Sequence, residues 1–105
     1  MLAGVVITFE PDPFAAINRR AQEAMFDFLS VDLDLAFTFL QTAIIEAGID
    51  PAYCEVALQK ARSALDSTRG FQERIEDPDE RQRILSRADK LEAALNEFHP
   101  PVAAA

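Results

Sequence analysis

The sequence predicts an all-α fold, a small up-down bundle of three long helices, and three observations carry that expectation. Asp-Pro dipeptides stand at Asp12-Pro13, Asp50-Pro51 and Asp77-Pro78, each ahead of a segment whose apolar residues return every three or four positions. Aspartate accepts from the first free helical N–H groups and proline tolerates the first helical position, so each dipeptide reads as a helix start. The 105 residues include only three glycines, whereas a β-rich domain of this size needs more turn chemistry. The links Gly48-Ile49-Asp50 and Glu76-Asp77 are so short that consecutive helices must fold back on one another.

Residues 1–12 read as an extended N-terminal arm, because Gly4 to Phe9 is β-prone but a lone strand has no partner. Helical character begins at Pro13, with Phe14, Ile17, Ala21, Ala24/Met25 and Phe28 at spacings of three or four. The stretch from Val31 to Phe39 is ambiguous, since strict alternation there also fits a half-buried strand. An unbroken helical stripe of Phe26, Leu29, Leu33, Phe37, Leu40 and Ile44 favours helix. Ser30 is able to cap a new helix, so a break there would turn three helices into four. Gly48 is expected to stop the segment in the left-handed conformation.

Pro51 begins the next helix, with an inner stripe of Cys54, Ala57/Leu58, Ala61, Ala64/Leu65, Thr68, Phe71 and Ile75. The small residues on it suit close helix approach, and Gly70 marks either a bend or a crowded contact. Arg62 with Asp66 and Arg69 with Glu73 have the spacing of ion pairs within the helix. Asp77-Pro78-Asp79-Glu80 combines a cap, a first-position proline and a capping-box glutamate. The helix it opens carries Ile84, Ala88, Leu91, Leu95 and Phe98, and Pro100-Pro101 ends it. The single bundle domain therefore spans residues 13–98, followed by a disordered tail over residues 99–105.

Composition narrows the functional classes. The formal charge is −8, and the first 52 residues hold eight acids against Arg19 and Arg20 alone. Such a field repels phosphate backbones and anionic lipid surfaces, so neither nucleic acid nor membrane is expected as a partner. Cys54 is the only cysteine, which excludes an internal disulfide or a cysteine zinc cluster and fits a cytoplasmic setting.

No catalytic constellation emerges. Cys54 falls on an inner stripe, which suits a small buried hydrophobe better than a nucleophile. The only histidine, His99, stands past the last helix, and the Glu-x-x-His pairs of di-metal bundles are absent. The basic residues Arg74, Arg81, Arg83, Arg87 and Lys90 are interleaved with acids and read as a solvated face. Arg81, Ile84, Arg87 and Ala88 are also placed to border a peptide-docking groove. No cofactor or metal site is expected, and an enzyme is not the expectation.

Five of the eight phenylalanines lie between Phe14 and Phe39, and Met25 to Ile45 is apolar around most of a helix. A bundle this small cannot easily cover such a helix on every side. Phe26, Leu33, Phe37, Phe39, Leu40 and Ile44 are therefore the candidate interface or pocket residues. The expected function is a non-catalytic interaction module that forms a homo-oligomer, most simply a dimer, or binds a partner protein. The alternative is a bundle that senses or binds a small molecule in an apolar pocket beside the same phenylalanines.

Overall fold

Pro13 opens a helix that continues unbroken for 34 residues to Glu46, α1 (Pro13–Glu46), about 51 Å long. This is a computed structural model, and it describes residues 13–99. The N-terminal arm and the tail beyond His99 lie outside the described residues. Ser30 marks no break, and the alternating Val31 to Phe39 stretch is helical throughout. Packing decides the ambiguity. Leu29, Leu33, Ala36, Leu40 and Ala43 are all buried, and their spacings of four and three put them on one helical face. A strand here would need a hydrogen-bonding neighbour, and no strand exists among the described residues.

The end of α1 corrects the expectation for Gly48, because no described glycine has a positive φ. Instead the amides of Ile49 and Asp50 both bond the Glu46 carbonyl, at 2.9 and 2.8 Å. Asp50 then caps α2 (Pro51–Phe71) by accepting from the Tyr53 amide at 3.1 Å. The cap of the following helix thus takes over the role expected of a left-handed glycine.

Helix α2 tightens after Phe71 into a single 3₁₀ turn, Gln72–Arg74. Gly70 does not sit in a crowded contact: it is exposed, with nothing within 4 Å of where a Cβ would stand. The Asp77 carboxylate accepts from the amides of Asp79 and Glu80, at 2.8 and 3.2 Å, and opens α3 (Pro78–Glu97).

The three helices share one core. Against the buried face of α1 stand Cys54, Ala57, Leu58, Ala61 and Leu65 from α2 and Ile84, Ala88, Leu91 and Leu95 from α3. Alanines at 36, 43, 57, 61 and 88 let the helix backbones come close, while the leucines fill the space between them. Ile75, in the link between α2 and α3, is fully buried and seals one end.

Polar contacts tie α3 to its neighbours. Arg69 bridges Asp89 and Glu92 at 3.0 and 2.7 Å, and Arg87 pairs with Asp34 while donating to the Ser30 carbonyl. The pairs expected from spacing alone, Arg62–Asp66 and Arg69–Glu73, do not form among the described residues. Arg69 reaches across to Asp89 and Glu92 on α3 instead of along its own helix to Glu73.

Candidate functional site: an exposed apolar face on α1

Helix α1 carries two apolar stripes where a bundle helix needs one. The first is the core stripe described above. The second runs through Phe14, Ile17, Ala21, Ala24, Phe28, Val31, Leu35, Thr38, Thr42 and Ile45, with spacings of three and four alternating over its whole length. Such a heptad repeat is the pattern of a helix–helix seam. Neither α2 nor α3 covers it: Phe14 is 77 % exposed, Ile17 61 %, Phe28 59 % and Val31 56 %. The two threonines do not interrupt it. Their hydroxyls donate back to the carbonyls of Asp34 and Thr38, each at 3.0 Å, so their polar demand is met within the helix.

The N-terminal part of α1 extends past the core. Its first fully buried residue is Leu29, Met25 and Phe26 pack partly against the core just before it, and the turns further toward Pro13 are held by polar contacts. Asn18 donates to Glu76 at 2.9 Å, and Gln22 donates to the Arg74 carbonyl while accepting from the Glu76 amide. These bonds fix the direction of the helix without covering Phe14 or Ile17.

The face widens toward α2. A shallow groove of about 260 Å³ is lined by Asp32, Leu35 and Phe39 from α1 and by Lys60, Ser63, Ala64 and Ser67 from α2. The Lys60 ammonium lies 5.4 Å from the centre of the Phe39 ring, within the range of a cation–π contact. Burial in the fold pushes the Asp32 carboxyl above its ordinary value. Tyr53 and Val56, each about half exposed, continue the apolar surface along α2.

The residues singled out in the sequence fall into three groups. Leu33 and Leu40 belong to the core, at 0 % and 5 % exposure, and are not available to a partner. Phe26, Phe37 and Phe39 are partly buried against that core. Ile44 is exposed, but it lies off the heptad stripe. The stripe was present in the sequence as a second set of residues at spacings of three and four. Its first half, Phe14 to Phe28, is the periodicity that marks the helix start in the sequence; its continuation to Ile45 merges there with the core stripe, because two overlapping periodicities on one helix look like general apolarity until one of them is paired.

A second groove, about 460 Å³, is lined by Phe26, Ser30, Gln82, Arg83, Ile84, Ser86 and Arg87. Of the four residues expected to border a docking groove on α3, it includes Ile84 and Arg87. It is open to solvent, and five of its seven lining residues are polar or charged.

Chemistry is sparse elsewhere. Cys54 is buried, and desolvation, with Glu55 and Glu46 adding to it, pushes its thiol pKa up and keeps the sulfur protonated. His99 is exposed beyond the end of α3. No group of three metal-ligating side chains occurs among the described residues.

By length and composition α1 also meets the criterion for a membrane-crossing helix, with a mean hydropathy of 1.5 over its most apolar window. A core helix with an additional apolar face meets the same criterion, and here Asp32 and Asp34 fall within the apolar stretch.

Fold and surface together define the class: an all-α, three-helix bundle whose longest helix offers an exposed heptad face. The chain matches no protein-family model, and neither a curated protein nor a solved structure shows significant similarity to it.

Proposed function

We propose that this protein is a non-catalytic, cytoplasmic interaction module that works by presenting the second apolar stripe of α1 to another polypeptide. The observation that carries this reading is the heptad from Phe14 to Ile45, exposed along a helix whose opposite face is already committed to the core. Contiguous apolar surface on this scale marks an interaction surface on a soluble protein. The buried, free Cys54 accords with a reducing compartment. A small-molecule role is less well supported, since a ligand site buries most of its ligand in a concave pocket and both grooves beside the phenylalanines are open.

Paired substitutions test the reading. Leu35→Asp, on the exposed stripe, should leave helicity and melting temperature near those of the parent while abolishing binding of an apolar dye or of a partner. Leu33→Asp, two residues away on the core face, should unfold the protein, since it buries an unpaired charge. Equal, small effects of both changes would contradict the reading, as would parent protein that binds no apolar dye and remains monomeric. Stable partition of the parent into neutral lipid vesicles would assign the stripe to a membrane instead.

A further inference from the structure

Resting on that reading, we infer that the occupant of the stripe is a second copy of this chain, bound antiparallel through the N-terminal half of α1 with Ala21 of each copy packed beside Ala24 of the other. The flanking charges choose this arrangement. In the heptad, Arg20 and Asp27 occupy equivalent positions one repeat apart on the edge of the stripe away from α2, and Asp34 follows one repeat later. Arg20 and Asp27 are exposed, and neither joins an ion pair among the described residues, whereas Asp34 is held by Arg87.

An antiparallel pair brings this edge of one helix against the same edge of the other. With Ala21 beside Ala24 of the second copy, each Arg20 faces Asp27 across the seam, giving two symmetric opposite-charge contacts. Sliding by one heptad in one direction sets Asp27 against its own copy and Arg20 against Asp34, which Arg87 already holds, and sliding by two brings Asp27 to Asp34. Sliding the other way sets Arg20 against its own copy. A parallel pair places Asp27 of each helix against Asp32 of the other, on both sides. Only one register joins unlike charges throughout, and like charges across a seam disfavour the alternatives.

The same register satisfies the apolar surface. Phe14 and Ile17, exposed at 77 % and 61 %, pack against Val31 and Phe28 of the second copy. The two alanines at the centre let the helices approach closely. About 30 Å of helix is in contact, and with its flanks this reaches the lower end of specific interfaces, about 1,200 Å² in total. Because the first buried residue of α1 is Leu29, the overhanging turns reach the other copy without displacing α2 or α3.

Sedimentation equilibrium of the full chain at micromolar concentration, with helicity followed by circular dichroism, gives the first readout. A dimer is expected. Arg20→Asp should weaken it about tenfold at unchanged helicity, and adding Asp27→Arg should restore it.

Pulsed electron paramagnetic resonance gives the second, using a nitroxide on Gln41→Cys, since buried Cys54 does not compete for the label. The labels should stand roughly 55 Å apart in the antiparallel dimer and 10–20 Å apart in a parallel one. A short distance, or a double variant no better than Arg20→Asp alone, overturns the proposed pairing. A monomer that still binds apolar dye overturns self-pairing while leaving the interaction surface intact. A monomer that binds none overturns both.

Discussion

At the scale of single residues, two buried or half-buried polar groups report how the bundle balances packing against solvation. Thr68 lies at 0 % exposure on the inner face of α2, and its hydroxyl oxygen has no hydrogen-bond partner. An orphaned buried hydroxyl costs about 1–3 kcal/mol, while the methyl group on the same carbon packs well. Thr68→Val keeps the shape and removes the unmet demand, so it should raise stability by about 1 kcal/mol in urea denaturation. Asp32 has the opposite character. Burial raises its carboxyl pKa above 3.8, so the folded state holds the proton more tightly than the unfolded one. Its contribution is therefore favourable below the unfolded pKa and is lost as pH rises through the folded pKa. Asp32→Asn should melt at a higher temperature than the parent at pH 7, with the difference vanishing near pH 3. A calorimetric series across that range checks both ends.

At the scale of elements, each helix shows a different balance between local signals and packing. Helix α3 is written almost completely in its own residues, with the Asp77 cap, Pro78 and acids in the first turn meeting the positive end of the helix. Helix α2 is less well served, because Gly70 lowers helix propensity near its end. Since nothing stands within 4 Å of a Cβ there, Gly70→Ala should stabilise the protein by about 0.5–1 kcal/mol, measurable as a higher denaturation midpoint. Helix α1 depends most on its surroundings. Its central alternation would serve a strand as well, and five buried residues facing α2 and α3 settle it as helix. Leu33→Ala should therefore cost about 2–5 kcal/mol. Phe28→Ala, on the other side of the same helix and 59 % exposed, should cost the isolated bundle less than about 0.5 kcal/mol. Its effect belongs to association, where it should raise the dissociation constant.

At the scale of the whole molecule, three helices are one fewer than α1 requires. A third helix laid along the α1–α2 hairpin buries one side of that hairpin, and the side bearing Leu35, Tyr53 and Val56 stays open. A fourth helix is the usual way a bundle of this kind closes, and in the antiparallel pair the other copy's α1, which begins at Pro13, covers the stripe from Phe14 to Val31 and leaves Leu35, Tyr53 and Val56 open. The acidic charge of the chain fits this arrangement only in part. A net −8 repels a second identical molecule at long range, so the two Arg20–Asp27 contacts act locally against a general repulsion. Association should consequently strengthen from low to moderate salt, as screening removes the repulsion, before high salt weakens the charge contacts themselves. Sedimentation at several ionic strengths would show that maximum.

The sequence by itself determined the class of fold, the two later helix starts and the core of α3. These rest on caps, prolines and a single apolar periodicity, all of which are local. It also marked residues 25–45 as too apolar for one small bundle, which is a matter of composition. Only tertiary structure decided that α1 runs through Ser30, that Gly48 needs no left-handed turn, and that Leu33 and Leu40 point inward. The physical reason is the same in each case. A helix with two apolar stripes has no local property that ranks one above the other, and the ranking appears only when α2 and α3 bury one of them and leave the other facing outward.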